Sequence, residues 1–254
     1  MNLVFASGVL IPQKILGLEY FRGIKAHVEA RGHHAIFPEV SPTGTVEQRA
    51  VALANAIDAA YPTGPIHIIA HSMGGLDSRF LIGNNLNGLS EPGRIASLTT
   101  LSTPHRGSPI ADLLVGSESD DVRRLFYSII KRTLEQVGID IGALGNLTTQ
   151  SASQVPDAAA THPHIRYQSY FASGRNDSHP TCLLFAPLHL YIYHLSGQEN
   201  DGVVTQESAT YGTFRKPTWP CDHLDMVGHN LDTFDLGGFQ FDHFSAYDAI
   251  INGL

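Results

Sequence analysis

Through the first hundred residues, short apolar runs alternate with longer amphipathic stretches, the pattern of a parallel sheet whose strands are joined by crossover helices. Leu3 to Ala6 reads as a strand, and Glu19 to Ala30 carries helical spacing that stops at Gly32. Ala35 to Phe37 is a short strand ended by Pro38, which has no N–H to give to a ladder. Thr45 is placed to cap an alanine-rich helix running to about Ala60. Pro65 to Ala70 reads as a buried strand, Met73 to Ile82 as the next helix and Ile95 to Leu101 as the strand after it.

The pattern changes from about Ser117 to Thr161. Val122, Leu125, Phe126, Ile129, Ile130, Leu134 and Val137 recur at helical spacing opposite Arg123, Arg124, Lys131 and Arg132. An ordinary surface helix would carry such a stripe; so would a lid over an apolar pocket. A polar stretch follows before sheet-like character returns at Ile165 to Phe171, and Ser245 to Ile251 has a terminal helical pattern. With no repeat and no low-complexity tract, residues 1–254 are expected to form a single α/β domain with a cap inserted at about 117–161.

Composition narrows the function classes. At 254 residues the chain leaves roughly 11,000 Å² exposed of about 40,000 Å² unfolded, so it can build a core without disulfides. Hydrophobic residues at 43% with 16% charged exclude a disordered or fibrous chain. Sixteen Lys and Arg against 24 Asp and Glu give a net charge of −8, with no basic stripe to neutralise phosphates, which argues against nucleic acid as partner. No apolar run is long enough for a transmembrane helix. The apolar start reads as a first strand and not as a signal peptide, and Cys182 and Cys221 do not fix a compartment.

The candidate chemistry centres on Ala70-His-Ser-Met-Gly-Gly75, which follows an apolar strand and opens a helix. This is the nucleophile-elbow pattern G-x-S-x-G with Ala in first place. Small residues are needed two before and two after the serine, because the sharp turn brings backbones together and leaves Ser72 Oγ exposed at the carboxyl edge of the sheet. A serine hydroxyl needs a histidine base, and the histidine needs a carboxylate to fix its tautomer. In this type of fold the chain order is Ser, acid, His. Asp201, in an Asn-Asp-Gly turn, and His223, in a loop after Pro220, satisfy that order. From the residues alone, Asp222 and Asp177 compete for the acid and His243 for the base.

The chain resembles the bacterial true lipases of the Pseudomonas and Burkholderia type, in the α/β-hydrolase superfamily. The resemblance runs through Gly17 to Ile24, the elbow with Leu76, Ser78 and Arg79, and Ser102-Thr-Pro-His-Arg-Gly-Ser108 with Ala111 and Asp112. It continues in Leu147 to Thr149, Ser196 to Gln198 with Asn200 to Gly202, and His223-Leu-Asp225. It implies Asp201 and His223 as the partners of Ser72, and it supports the lid. A tetrahedral intermediate needs two backbone N–H donors, the first from Met73, directly after the nucleophile. Ser7-Gly8-Val9 stands where the family has its His-Gly loop, which implies Val9 as the second, although Ala6-Ser7 departs from the usual opening.

The resemblance further implies a structural calcium ion near the catalytic histidine, with Asp225 and Asp177 as carboxylate ligands and carbonyls near His229 and Thr233 completing the shell. If those aspartates share an ion, Cys182 and Cys221 come close enough to pair. No organic cofactor is expected. The expected function is carboxylic ester hydrolysis through an acyl-enzyme, with an acylglycerol as substrate and transient contact with a lipid–water interface. Alternatives are an esterase for short esters, a polyester hydrolase, or a non-catalytic binding protein of the same fold.

Overall fold

A computed structural model of the chain describes residues 1–9, 19–116, 121–136, 141–174, 185–229 and 240–254. Among the described residues six strands form one sheet in the order β2-β1-β3-β4-β5-β6, every neighbouring pair parallel. They are β1 (Asn2–Ala6), β2 (His34–Ile36), β3 (Ile66–His71), β4 (Ile95–Leu101), β5 (Arg166–Tyr170) and β6 (Thr213–Phe214). The helices are α1 (Ile24–Glu29), α2 (Val46–Ala60), α3 (Met73–Gly83), α4 (Pro109–Val115), α5 (Asp121–Gln136), α6 (Thr149–Ser153), α7 (Ala158–Thr161), α8 (Ala186–Ser196), α9 (Gln206–Ala209) and α10 (His243–Asn252).

A parallel sheet must be covered on both faces, and two apolar clusters do so. Leu3, Phe5 and Ile69 face one cluster with Ile24 and Val28 of α1, Leu188 and Ile192 of α8, and Ile250 and Ile251 of α10. Val4, Ile66 and Ile68 face the other, against Leu53 and Ile57 of α2 and Leu81 and Ile82 of α3. Each such aliphatic side chain removed from water contributes roughly 1.5–3 kcal/mol.

The strand expectations fall within a residue or two of the observed bounds. Thr45 caps α2 with a reciprocal capping box: its hydroxyl accepts from Gln48 N–H, and the Gln48 side chain accepts from Thr45 N–H. α1 starts five residues later than its spacing suggested, because Gly23 takes φ 72° and the Glu19 carboxylate accepts its N–H at 3.0 Å, closing a separate turn. The helix expected over 122–137 appears as α5. Val137 lies outside the described residues, as do Asp177, Cys182 and Thr233. Cys221 is buried. Among the described residues no helix is long and apolar enough to cross a membrane.

Candidate active site

The end of β3 turns into α3 at Ser72, whose backbone adopts φ 55°, ψ −131°. For a serine this is a costly conformation, of order 1–3 kcal/mol, which persists because the surroundings hold it. Ser72 N–H donates to Leu101 O at 3.0 Å, anchoring the turn to the end of β4. The need for a small residue two beyond the serine is direct: a Cβ on Gly74 would lie 2.3 Å from Ala6 O at the end of β1. Gly75 meets the Thr103 side chain just as closely. At Gly8 a Cβ would fall 2.7 Å from Ser72 Cβ and 3.2 Å from its Oγ, so the loop after β1 lies against Ser72.

Asp201 and His223 come together. His223 Nδ1 lies 2.7 Å from Asp201 Oδ2, and both side chains are fully buried. The carboxylate accepts, so Nδ1 carries the proton and Nε2 is left with its lone pair, as a base requires. A second tie, His223 N–H to Asp201 O at 3.0 Å, fixes the two loops to each other. Nε2 is buried and makes no hydrogen bond to Ser72 or to any other described residue. Catalytic hydrogen bonds of this type tighten when substrate arrives.

The acid loop is built by its own sequence. Asn200 Oδ1 accepts from Gly202 N–H at 3.0 Å in an Asx turn, and Gly202 takes φ 90° with Phe185 packed where a Cβ would stand. Asp201 Oδ1 then accepts the N–H groups of Val203 at 3.0 Å and Val204 at 2.8 Å. Burial pushes the Asp201 carboxyl up, but pairing with His223 and these hydrogen bonds outweigh it, and its pKa is lowered overall. The Ser102-to-Ser108 motif buttresses this loop. Ser108 hydroxyl donates to Val203 O at 2.6 Å and Arg106 donates to Glu207 O and Thr210 O.

The rivals for acid and base have other tasks. Asp222 Oδ1 accepts from Leu224 N–H at 3.1 Å within the turn that carries His223. His243 opens α10 and donates from Nε2 to Arg22 O at 3.0 Å. Asp225 Oδ2 accepts from Asp222 N–H, so one proposed calcium ligand does sit beside His223. Among the described residues no three His, Cys, Asp or Glu side chains converge as a metal site.

Three supporting residues were not singled out by sequence. Ser102, at the end of β4, holds φ 42°, its hydroxyl hydrogen-bonds Asp201, and its oxygen accepts from Ala172 N–H. His71 Nε2 donates to His223 O at 2.9 Å, so its Nδ1 must accept, and the Tyr20 hydroxyl donates to it at 2.7 Å. Burial, and then the proximity of His223, push the His71 pKa well below the ordinary histidine value, which keeps that tautomer neutral. In the sequence Tyr20 stands only as one member of the Gly17-to-Ile24 stretch.

Comparison with solved structures decides the fold. A metagenomic carboxyl esterase matches 99% of this chain and 74% of its own with a TM-score of 0.69 at 20% identity. The mature lipase BlEst2 of Bacillus licheniformis matches 91% of this chain and 87% of its own at 0.63 and 21%. The chain has the α/β-hydrolase fold. Among curated proteins this α/β-hydrolase chain is 32% identical over 222 residues to "Triacylglycerol lipase 2" of Saccharomyces cerevisiae, covering 84% of this chain and 63% of that protein. It is 28% identical to a triacylglycerol lipase of Vibrio cholerae, over 99% of this chain and 86% of the relative. The chain thus spans less than two thirds of the yeast relative's length. No protein-family model matches it.

Proposed function

We propose that this chain is a serine ester hydrolase acting on acylglycerols through an acyl-enzyme. The observation that carries the reading is the buried His223–Asp201 pair at 2.7 Å, locked to the strained Ser72 elbow through His71. The lipase names of the relatives and the esterase and lipase titles of the structural neighbours support the class of substrate.

In this reading His223 Nε2 takes the Ser72 proton as Oγ attacks the ester carbonyl. Asp201 stabilises the imidazolium without itself taking the proton. The N–H groups of Met73 and Val9 donate to the developing oxyanion, and His223 returns the proton to the leaving alkoxide, giving the acyl-enzyme. Water, deprotonated by the same histidine, then attacks the acyl carbonyl, and the acid leaves as the histidine delivers that proton to Ser72 Oγ. Ser72→Ala and His223→Ala are expected to lower turnover of a dissolved p-nitrophenyl ester by several orders of magnitude with unchanged circular dichroism. Activity surviving in His223→Ala but lost in His243→Ala would overturn the assignment.

Two further elements belong to this proposal. α5 acts as a lid whose outer side chains meet the lipid–water interface. Calcium bound by Asp177 and Asp225 braces the His223 loop: a carboxylate oxygen is the donor a hard cation takes, and Asp225 follows His223 by two residues. An ion of this kind supplies rigidity and no chemistry.

A further inference from the structure

His71, the last residue of β3, stands directly before Ser72 and is fully buried. Its ring packs on that of His223, with centroids 4.5 Å apart and planes inclined at 44°. Nε2 donates to His223 O at 2.9 Å, and the Tyr20 hydroxyl lies 2.7 Å from Nδ1. Tyr20 is buried too, and its own segment grips a later part of the same loop. The Tyr20 carbonyl accepts from His229 Nε2 at 2.9 Å, and Arg22 N–H donates to Val227 O at 3.0 Å. These hydrogen bonds close a circuit that runs from His223 through His71 and Tyr20 to His229 and back along the loop.

The circuit has a fixed polarity. A carbonyl only accepts, so His71 Nε2 carries a proton, and in the neutral ring Nδ1 accepts from the Tyr20 hydroxyl. A charged His71 would carry protons on both nitrogens. Tyr20 would then have to turn its own proton into a buried site where no described residue accepts it. The imidazoles of His223 and His229 oppose a charge on His71 as well. An uncharged ring is what the chemistry needs there. When His223 takes the serine proton it becomes a cation, and a second cation packed on its ring would raise the energy of that state.

We propose that His71 is a positioning residue for the base His223, held by Tyr20 in one uncharged tautomer so that its Nε2–H fixes the His223 backbone and no second cation meets the imidazolium. This rests on the reading of Ser72 as nucleophile and His223 as base. Tyr20 acts on His223 through this ring and through the end of the loop at His229.

Nitrogen-15 NMR of the histidine-labelled protein reads the tautomer directly: at neutral pH His71 Nε2 should be protonated and Nδ1 bare. Tyr20→Phe, which removes a single oxygen, should lower kcat on a dissolved short ester about three- to thirtyfold with KM within about twofold. His71→Leu donates nothing to the His223 carbonyl and should lower kcat about 100-fold, the loss that follows a misplacement of about 1 Å. His71→Gln keeps an N–H donor near the position of Nε2 and should return kcat to within about tenfold of the parent. A protonated Nδ1, native kcat in Tyr20→Phe, or a His71→Gln variant no more active than a folded His71→Leu would overturn the proposal. If His71→Leu fails to fold, the tautomer and Tyr20→Phe decide it alone. His223→Ala separates the two readings: if it keeps full activity, the base assignment fails; if it is dead while Tyr20→Phe and His71→Leu are fully active, only the role of His71 fails.

Discussion

Ser102 shows how a single residue trades conformation for function. A non-glycine residue at φ 42° costs of order 1 kcal/mol, and here that cost accompanies a hydroxyl on the Asp201 carboxylate, the proposed acid of the triad. Ser102→Gly removes both the strain and the hydroxyl. We expect kcat on a soluble ester to fall about three- to thirtyfold, while the melting temperature stays level or rises, because relieved strain offsets the extra freedom of the unfolded chain. A fall in kcat matched by a fall in melting temperature would make Ser102 an ordinary structural residue. Sequence alone could not find it, nor His71 or Tyr20 in their present roles. Each acts through a partner between 51 and 152 positions away, and no local spacing encodes such pairs. Ser72, Asp201 and His223 were legible because the elbow and the Asn-Asp-Gly turn are local solutions to local steric problems.

Among the elements, α5 departs most usefully from its sequence reading. The apolar stripe is one band on a helical wheel, yet the protein body covers only part of its described members. Ile130 and Leu134 are 0% and 2% exposed and Phe126 packs its ring on Tyr191, whereas Leu125 and Ile129 are 61% and 39% exposed. Arg124 and Arg132 stand exposed beside them. Leu125→Asp with Ile129→Asp should therefore leave thermal stability nearly unchanged, and should weaken activity on emulsified triglyceride at least about tenfold more than on dissolved short esters, since apolar area at an interface supplies the binding. Equal losses on both substrates would end the lid reading. α2 was readable to its cap because Thr45 and Gln48 form a self-contained box. α1 was not, since its start depends on a Glu19 contact within a turn that its periodicity hides.

For the whole molecule, acid should be the more damaging direction of pH change. Burial pushes His71 and His105 well below the ordinary histidine value, and lowers His67, His229 and His243. A histidine depressed in the folded state binds its proton more readily when unfolded, so its stabilising effect is complete above about pH 6.5 and is lost as pH falls below that. The fully buried His71 and His105 carry most of this effect, each giving up as much as about 1.4 kcal/mol per pH unit in that window. Asp77, pushed up to about 7 by burial against the pull of Arg49, has the opposite sign and offsets one of them. The balance predicts a melting temperature that drops between pH 7 and pH 5 in calorimetry; a flat or rising trace would contradict it. EDTA should lower the same melting temperature at pH 7 by a few degrees if calcium binds the native state preferentially, and calcium in excess should restore it.

Because all six strands run in the same direction, the sheet has a working edge and a plain one. Ser72 follows the carboxyl end of β3, and the Gly8–Val9 peptide lies just beyond that of β1. The first strand enters the sheet at its opposite edge, and there too the Leu254 carbonyl accepts from Arg166, the first residue of β5. β1 and β5 stand three strand spacings apart, roughly 14 Å. Chain running on from Met1 or Leu254 would therefore depart from the edge opposite Ser72. Linked to a surface through either residue, the molecule would turn the Ser72 edge outward, and under the proposed function the two orientations should show equal specific activity on a dissolved ester.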